Sequence, residues 1–166
     1  MRIRRAEDTD QVEVYQVHLA AFGQTVEADL NRSLHSGGHV PEALSLVAEV
    51  DGTIVGHVVC SRGQLGDTTV MGLGPIGVLP EHQRTGVGSA LMQTVIDAAD
   101  TLGEPMLVLL GSPDYYSRFG FVSASELDVE APDPEWGEYF QALALRRHDP
   151  TLTGRYQYAP PFDELS

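Results

Sequence analysis

Apolar residues recur with helical spacing in several segments of the chain. The clearest series runs over 86–103 and forms one stripe from Val87, Leu91, Met92, Val95, Ile96 and Ala99. Segment 8–21 begins with Asp-Thr-Asp, whose side-chain oxygens suit a helix start, and carries its own apolar face. A further helix is predicted over 25–34. A short one is predicted within 112–120, where Ser-Pro begins it and a glycine ends it.

Shorter apolar runs between these helices predict strands. Segments 44–50 and 53–60 flank Asp51-Gly52, a two-residue hairpin signal, so we expect them to pair antiparallel. Segment 70–78 predicts another strand, in which Pro75 indicates a bulge or a splayed, ligand-facing edge. Strands are also predicted at Ile3, 106–110, Phe121-Val122 and 139–145, a loop at 63–67, and an extended, packed tail at 155–162. This order of elements predicts an α/β (α+β) fold, with helices on the faces of a mixed sheet.

Length and charge narrow the classes of function. The chain has 166 residues, which suits a single domain over 1–166, and 42% of them are hydrophobic, enough for a core. Asp and Glu number 24 against 10 Lys and Arg, a net charge of -14. Such a surface opposes nucleic acid and anionic membranes as partners, and it mildly favours cationic ones such as amines.

The cysteine content and the N-terminal residues indicate where in the cell the protein is expected. Cys60 is the only cysteine, so an intrachain disulfide is impossible. It sits in an apolar run, where a buried structural thiol is expected rather than a nucleophile. The first residues lack the apolar run of a signal peptide, and no segment is apolar and long enough to span a membrane. We therefore expect a cytoplasmic protein.

A glycine-rich turn between a strand and a helix is the strongest chemical signal. In Gln83-Arg-Thr-Gly-Val-Gly88, Gly86 and Gly88 let a ligand approach the backbone at a helix N-terminus, where anions and phosphates bind. A nucleoside triphosphate P-loop is excluded because the chain contains no lysine. Segment 72–77 formally fits Gly-x-Gly-x-x-Gly, but prolines at 75 and 80 prevent a helix from starting there, so a dinucleotide site is rejected.

Two motifs together carry a family resemblance. The first is Gln83-x-x-Gly86-x-Gly88, and the second is Tyr115-Tyr116-Ser-Arg-Phe-Gly-Phe121. In both, and in the order of elements along nearly the whole chain, the protein resembles the GNAT superfamily of N-acetyltransferases. The run 112–121, together with Ala21-Phe22-Gly23 and Glu27, is similar to a branch of small bacterial predicted members. The resemblance implies a mixed, mostly antiparallel sheet flanked by helices and splayed at an acetyl-CoA site.

The resemblance also implies roles for residues. The loop that begins at Gln83 would hold the pyrophosphate of acetyl-CoA through backbone N–H groups among Arg84, Thr85, Gly86, Val87, Gly88 and Ser89. The strand residues Ile76, Gly77 and Val78 would pair with the pantetheine arm, and an N–H near Ile76 would face the thioester oxygen. Tyr116 would act as general acid for the leaving thiolate. Transfer would be direct, without a covalent acyl-enzyme.

The sequence leaves open which residue is the base that deprotonates the amine. Glu49 and His57 are the candidate bases. Glu27 and Asp29 fall in the region that usually lines the acceptor cleft, although a solvated helix face also explains them. His35 and His39 resemble a metal pair but have no third ligand at a convincing spacing, so no metal is predicted.

Three alternatives stay open at this stage. The chain could be an acyl-CoA-binding, sensing or protein-interaction module without an acceptor site. It could transfer a longer acyl group, or transfer to a hydroxyl, because the loop contacts only the coenzyme. The acceptor is not identified by the sequence, and a homodimer is possible because dimers are frequent among relatives.

Overall fold

A computed structural model describes residues 1–165, built around one mixed sheet; Ser166, the end of the predicted domain, lies outside the described residues. The strands are β1 (Arg2–Arg5), β2 (Ser45–Val50), β3 (Thr53–Leu65), β4 (Thr68–Val78), β5 (Met106–Leu110), β6 (Val122–Ser123), β7 (Val129–Glu130), β8 (Phe140–Ala144) and β9 (Gly154–Gln157). The order is β1-β2-β3-β4-β5-β8-β6, and β9 pairs with the end of β3 and with β7. Only the β4–β5 and β7–β9 pairs among the described strands are parallel. The predicted mixed, mostly antiparallel sheet is confirmed.

Helices cover both faces of the sheet. They are α1 (Gln11–Phe22), α2 (Val26–Ser36), α3 (Val87–Thr101) and the single turn α4 (Pro113–Tyr116). Short 3-10 segments occupy Asp8–Asp10, Glu42–Leu44, Pro80–His82, Ser117–Phe119, Ala124–Leu127, Pro134–Tyr139 and Pro160–Leu165. Successive β2 side chains point to opposite faces, so Leu46 packs with the apolar stripe of α3 and Val47 packs against Val14 and Val17 of α1. Within residues 1–165 no helix is long and apolar enough to cross a membrane.

Strand β4 is interrupted where the sequence places Pro75. Val58 pairs with Ile76 and Cys60 pairs with Leu73, so Gly74 and Pro75 together lie opposite one β3 residue. The predicted bulge is confirmed. On its other side β4 pairs with β5 only at two positions, Met71–Leu107 and Gly72–Val108. Beyond Gly72, β4 therefore has no strand partner on that side among the described residues.

The prediction of a loop at 63–67 was wrong, because β3 continues to Leu65. Gly63 suggested a break, but here it permits a close approach: a Cβ at this position would lie 2.0 Å from the hydroxyl oxygen of Tyr156. The strand continues because β9 pairs with it at Gln64 and Leu65.

The tail packs on the domain as expected, with Tyr156 and Ala159 buried. Its predicted extended form holds for β9 but is wrong for Pro160–Leu165, which is a 3-10 segment. Proline at the start of that segment fixes a φ that suits a helical turn as well as an extended chain.

Candidate active site

The last residues of β4 present backbone groups to the open side of the strand. The Leu79 N–H donates to the Val55 carbonyl at 2.8 Å. In an antiparallel ladder, hydrogen-bonded pairs alternate with pairs that are not bonded to each other. Two residues earlier, Gly77 is therefore bonded to β3, and the peptide groups of Ile76 and Val78 point away from β3. They face the gap that opens where β5 leaves β4.

The loop after β4 is shaped by left-handed backbone and by local hydrogen bonds. Arg84 has φ 62° and Gly86 has φ 93°, the first an uncommon value for a residue with a side chain. Gln83 Nε2 donates to the Val78 carbonyl at 3.0 Å, and the Thr85 hydroxyl donates to a carbonyl of the preceding turn. These contacts hold the loop against the end of β4 and fix the direction in which the chain enters α3.

The N-terminus of α3 has free donors. The Ala90 N–H donates to the Gly86 carbonyl at 3.0 Å as the first helical hydrogen bond, so the amides of Val87, Gly88 and Ser89 have no intrahelical partner. The helix has 15 residues, and its dipole adds a partial positive charge at this end. The arrangement is suited to an anion.

A cleft of about 520 Å³ connects this loop to α4 and the turn after it. Its walls are Val78, Gln83, Arg84, Gly86, Gly88, Ser89, Tyr115 and Arg118. The Arg118 guanidinium lies 4.6 Å from the centre of the Tyr115 ring. Arg84 and Arg118 both line the cleft, so two positive charges border this candidate anion site in an acidic protein. Of the predicted loop residues, Val87 turns its side chain into the core instead.

Tyr115 and Arg118 line this cleft, and neither was predicted from the sequence as a site residue. The available signal was their spacing, because residues three apart share one side of a helical turn. That spacing places both side chains toward the loop.

Tyr116 lies beside this cleft and not in its wall. Its ring is edge-on to Tyr115, with centroids 4.9 Å apart, and packs over Gly111, where a Cβ would lie 2.4 Å from the ring. Burial first, and the neighbouring Tyr115 second, raise the pKa of Tyr116, so the phenol is protonated at neutral pH. Its hydroxyl makes no hydrogen bond to any residue in 1–165, which leaves it free to donate to a ligand.

Glu49 is held in an ion pair away from the open edge of β4. Arg4 donates a hydrogen bond to the Glu49 carboxylate, and it donates two more, of 2.7 and 3.0 Å, to the Asp10 carboxylate. Arg4 lowers the pKa of Asp10 through these bonds. The network joins β1, β2 and the start of α1, so the structure gives Glu49 a structural contact rather than a place in the site.

His57 is fully buried, and both of its ring nitrogens are occupied. Its Nδ1 lies 2.8 Å from His18 Nε2, and its Nε2 lies 2.9 Å from Ser45 Oγ. Burial lowers the pKa of His57 well below its ordinary value, so it is neutral at physiological pH. His57 therefore does not reach a ligand with either nitrogen.

The other polar candidates have local partners. Glu27 accepts from Gln24 Nε2 at 2.8 Å, and Asp29 accepts from the Tyr15 hydroxyl at 2.8 Å and from Arg32 at 2.9 Å. No group of three or more His, Cys, Asp or Glu that could hold a metal ion occurs within residues 1–165.

Comparison with known proteins decides the family. The sequence profile of the Acetyltransferase (GNAT) family matches residues 11–121. The chain is 34% identical over 161 residues to the uncharacterized N-acetyltransferase YjhQ of Escherichia coli strain K12, which covers 92% of this chain and 89% of YjhQ. The protein belongs to the GNAT family.

Solved structures agree with this assignment. The YhbS N-acetyltransferase of Escherichia coli, crystallised with CoA, superposes on this GNAT protein with a TM-score of 0.92 at 27% identity, over 99% of this chain and 93% of YhbS. A GNAT acetyltransferase of Brucella melitensis in complex with acetyl-CoA gives 0.81 at 32% identity, over 98% and 97% of the two chains. The resemblance drawn from the two motifs is confirmed at the level of family and fold.

Proposed function

We propose that this protein is an acetyl-CoA-dependent N-acetyltransferase that acts on a primary amine by direct transfer in a ternary complex. The observation that carries the proposal is the continuity of two donor sets. The outward peptide groups of Ile76 and Val78 lead directly to the free amides at the start of α3. A ligand that fits both has an amide-bearing arm ending in a phosphate, which is the chemistry of coenzyme A. The CoA and acetyl-CoA bound in the two structural relatives support it.

The pyrophosphate and the pantetheine arm of the coenzyme each have a matching surface. The amides from Arg84 to Ser89 would take the pyrophosphate, and Arg84 and Arg118 would add charge-assisted hydrogen bonds. The open edge at Ile76–Val78 would take the pantetheine arm as an added strand. In a chain of net charge -14, this local positive end is what makes an anionic ligand favourable there.

Acetyl-CoA supplies an acetyl group already activated as a thioester. The Ile76 N–H would donate to the carbonyl oxygen as negative charge builds on it during attack by the amine. The Tyr116 phenol would give its proton to the departing sulfur. Its raised pKa suits this role, because the proton stays on the oxygen until a thiolate forms nearby.

Space for the acceptor lies on the sheet face opposite α3. A cavity of about 780 Å³ is lined there by aromatic and apolar side chains, among them Leu110, Trp136, Tyr158 and Phe162. Leu110 ends β5 next to the gap, which relates the cavity to the open edge of β4. Aromatic walls stabilise both apolar groups and cations, so an amine with an aromatic or extended apolar body fits this cavity.

The test is release of free thiol from acetyl-CoA in the presence of spermidine, tryptamine or a lysine-containing tripeptide. Thiol release above the amine-free rate, lowered at least tenfold at sub-saturating acetyl-CoA in Gly86→Glu and retained in Gly66→Glu, is the expected result. Both glycines have open space around the Cβ position, so neither variant introduces a steric clash, and the two variants place the same new charge in different locations. Binding of acetyl-CoA without acetylation of any amine would contradict the enzymatic role and favour an acyl-CoA-sensing module.

A further inference from the structure

A buried chain of polar side chains runs along the face of the sheet that α1 covers, from α1 to α2. His18 Nε2 lies 2.8 Å from His57 Nδ1, and His57 Nε2 lies 2.9 Å from Ser45 Oγ. Ser45 Oγ lies 3.0 Å from His35 Nε2, and His35 Nδ1 lies 2.8 Å from the Asn31 carbonyl oxygen. Four side chains from four elements thus form one continuous hydrogen-bonded path.

The carbonyl at one end fixes the direction of every hydrogen bond. A carbonyl only accepts, so His35 Nδ1 carries a proton, and in the neutral ring Nε2 accepts from the Ser45 hydroxyl. Ser45 then accepts from His57 Nε2–H, and His57 Nδ1 accepts from His18 Nε2–H. The remaining nitrogen, His18 Nδ1, is left with a bare lone pair. The chain therefore ends in a proton acceptor.

That acceptor faces the strand of the candidate active site. His18 is fully buried, and its Nδ1 has no hydrogen-bond partner among residues 1–165. A Cβ built on Gly77 would lie 2.8 Å from this nitrogen, so only glycine at this position leaves room for it against the strand. Gly77 sits between Ile76 and Val78, whose peptide groups face the gap beside β4. A buried lone pair without a partner costs free energy unless a ligand or water uses it.

The other end of the chain opens to solvent. His35 is half-buried and lines a cavity of about 250 Å³ between α1 and α2. The charged and titratable groups that face it are Asp8, Tyr15 and Arg32 around this cavity, and His57 from β3. A proton that arrives at His35 can therefore pass to water in this cavity, at the end of the chain opposite to Gly77.

We propose that His18, His57, Ser45 and His35 form a proton relay that carries the amine's proton from the reaction centre to solvent; this rests on the proposed function. As the N–H bond of the positively charged amine nitrogen breaks, directly or through one water, His18 Nδ1 gains a proton. His18 Nε2 passes its proton to His57 Nδ1, His57 Nε2 passes its own to Ser45, and Ser45 passes its own to His35 Nε2. One positive charge has moved from the amine to His35, and no other bond has changed.

Burial explains why the relay is needed. Burial, and then His35, lower the pKa of His18 to about 4, and burial likewise lowers the pKa of His57 well below its ordinary value. Neither ring holds a positive charge well, so charge taken up at His18 has to move on to the exposed end. His18 is the general base in this scheme, and His57, Ser45 and His35 are relay residues that act through it.

The relay has a signature that does not depend on acetyl transfer. Long-range ¹H–¹⁵N spectra distinguish the two histidine tautomers. At neutral pH we expect Nε2–H on His18 and His57 and Nδ1–H on His35. A proton that enters the chain reverses every hydrogen bond along it, so both buried rings should switch to Nδ1–H together. A proton on His18 Nδ1 at neutral pH, or buried rings that switch independently of each other, would overturn the proposal.

Ser45→Ala should abolish the coupled switch of the two buried rings, because it breaks the path between His57 and His35. Ser61→Ala is the matched control, because Ser61 is an equally buried serine without a hydrogen-bond partner for its hydroxyl in residues 1–165, and it should behave as wild type.

With an accepted amine, Ser45→Ala should lower kcat at least tenfold at unchanged KM for acetyl-CoA. Added imidazole should restore turnover to His18→Ala. Turnover unchanged by Ser45→Ala would overturn the relay. Wild type without turnover would overturn the proposed function and leave the tautomer switch to decide the relay.

Discussion

Two buried serines should respond to the same substitution with opposite signs. The Ser45 hydroxyl joins His57 and His35 at 2.9 and 3.0 Å, whereas the hydroxyl of Ser61 has no partner in the described chain. Ser45→Ala leaves His57 Nε2 fully buried without a partner, which costs about 1–3 kcal/mol, while the half-buried His35 regains water. Ser61→Ala removes a hydroxyl that was buried without compensation, so it should be neutral or stabilising by up to about 1 kcal/mol.

Urea unfolding followed by circular dichroism measures both variants on one scale. The free energies of unfolding should differ by about 1–4 kcal/mol, and the melting temperatures by at least roughly 2–4 °C, since each kcal/mol shifts a domain of this size by about 2–4 °C. The slope of the urea dependence should be the same in all three proteins, because the exposed surface hardly changes. Equal destabilisation by the two substitutions would refute the hydrogen-bonding of Ser45 described above.

Three further predictions concern other parts of the molecule. Tyr116→Phe should lower kcat at least tenfold with little change in the Kd for acetyl-CoA, measured by thiol release and calorimetry; unchanged turnover would remove the phenol from the mechanism. Cys60 is buried, which raises the pKa of its thiol, so a thiol reagent should label it only in urea, and a correctly folded Cys60→Ala should keep its activity; labelling of the native protein would contradict its burial. Arg4 lowers the pKa of Asp10 below 3.8, so this ionised pair stabilises the fold above about pH 4 and the benefit is lost as the pH falls through the folded pKa. The stability gap between wild type and Asp10→Asn should therefore narrow as the pH falls below 4, and a gap that does not change with pH would argue against the pair.

The sequence predicted the fold well where local pattern and tertiary contact agree. The α3 stripe, the hairpin at Asp51-Gly52 and the bulge at Pro75 each follow from spacing or from backbone chemistry that acts within a few residues. The end of β3 was mispredicted because Gly63 serves a contact with Tyr156, which is 93 residues away in the chain and left no local signal.

The candidate site was predicted in part for the same reason. The loop motif predicted the free donors at the start of α3, because they are backbone groups of a glycine-containing loop that the pattern itself identifies. His57 was identified as a polar residue on a suitable strand, but its partners His18, Ser45 and His35 come from three other elements. Only the packing of α1 and α2 on the sheet aligns them, and no pattern of spacing in the chain records that alignment.

Calorimetric titration of acetyl-CoA into wild type, Gly86→Glu and Gly86→Ala tests the central claim, that this loop holds the coenzyme. Gly86 has φ 93° and open space at its Cβ, so the alanine variant shares the backbone strain of the glutamate variant without its charge. A carboxylate about 5 Å from one phosphate charge costs about 1–3 kcal/mol at effective dielectric constants of about 80 to 20. We therefore expect wild-type binding that weakens roughly tenfold to a hundredfold in Gly86→Glu relative to Gly86→Ala. Equal affinity of the two variants, or no binding to the folded wild type, would contradict the claim.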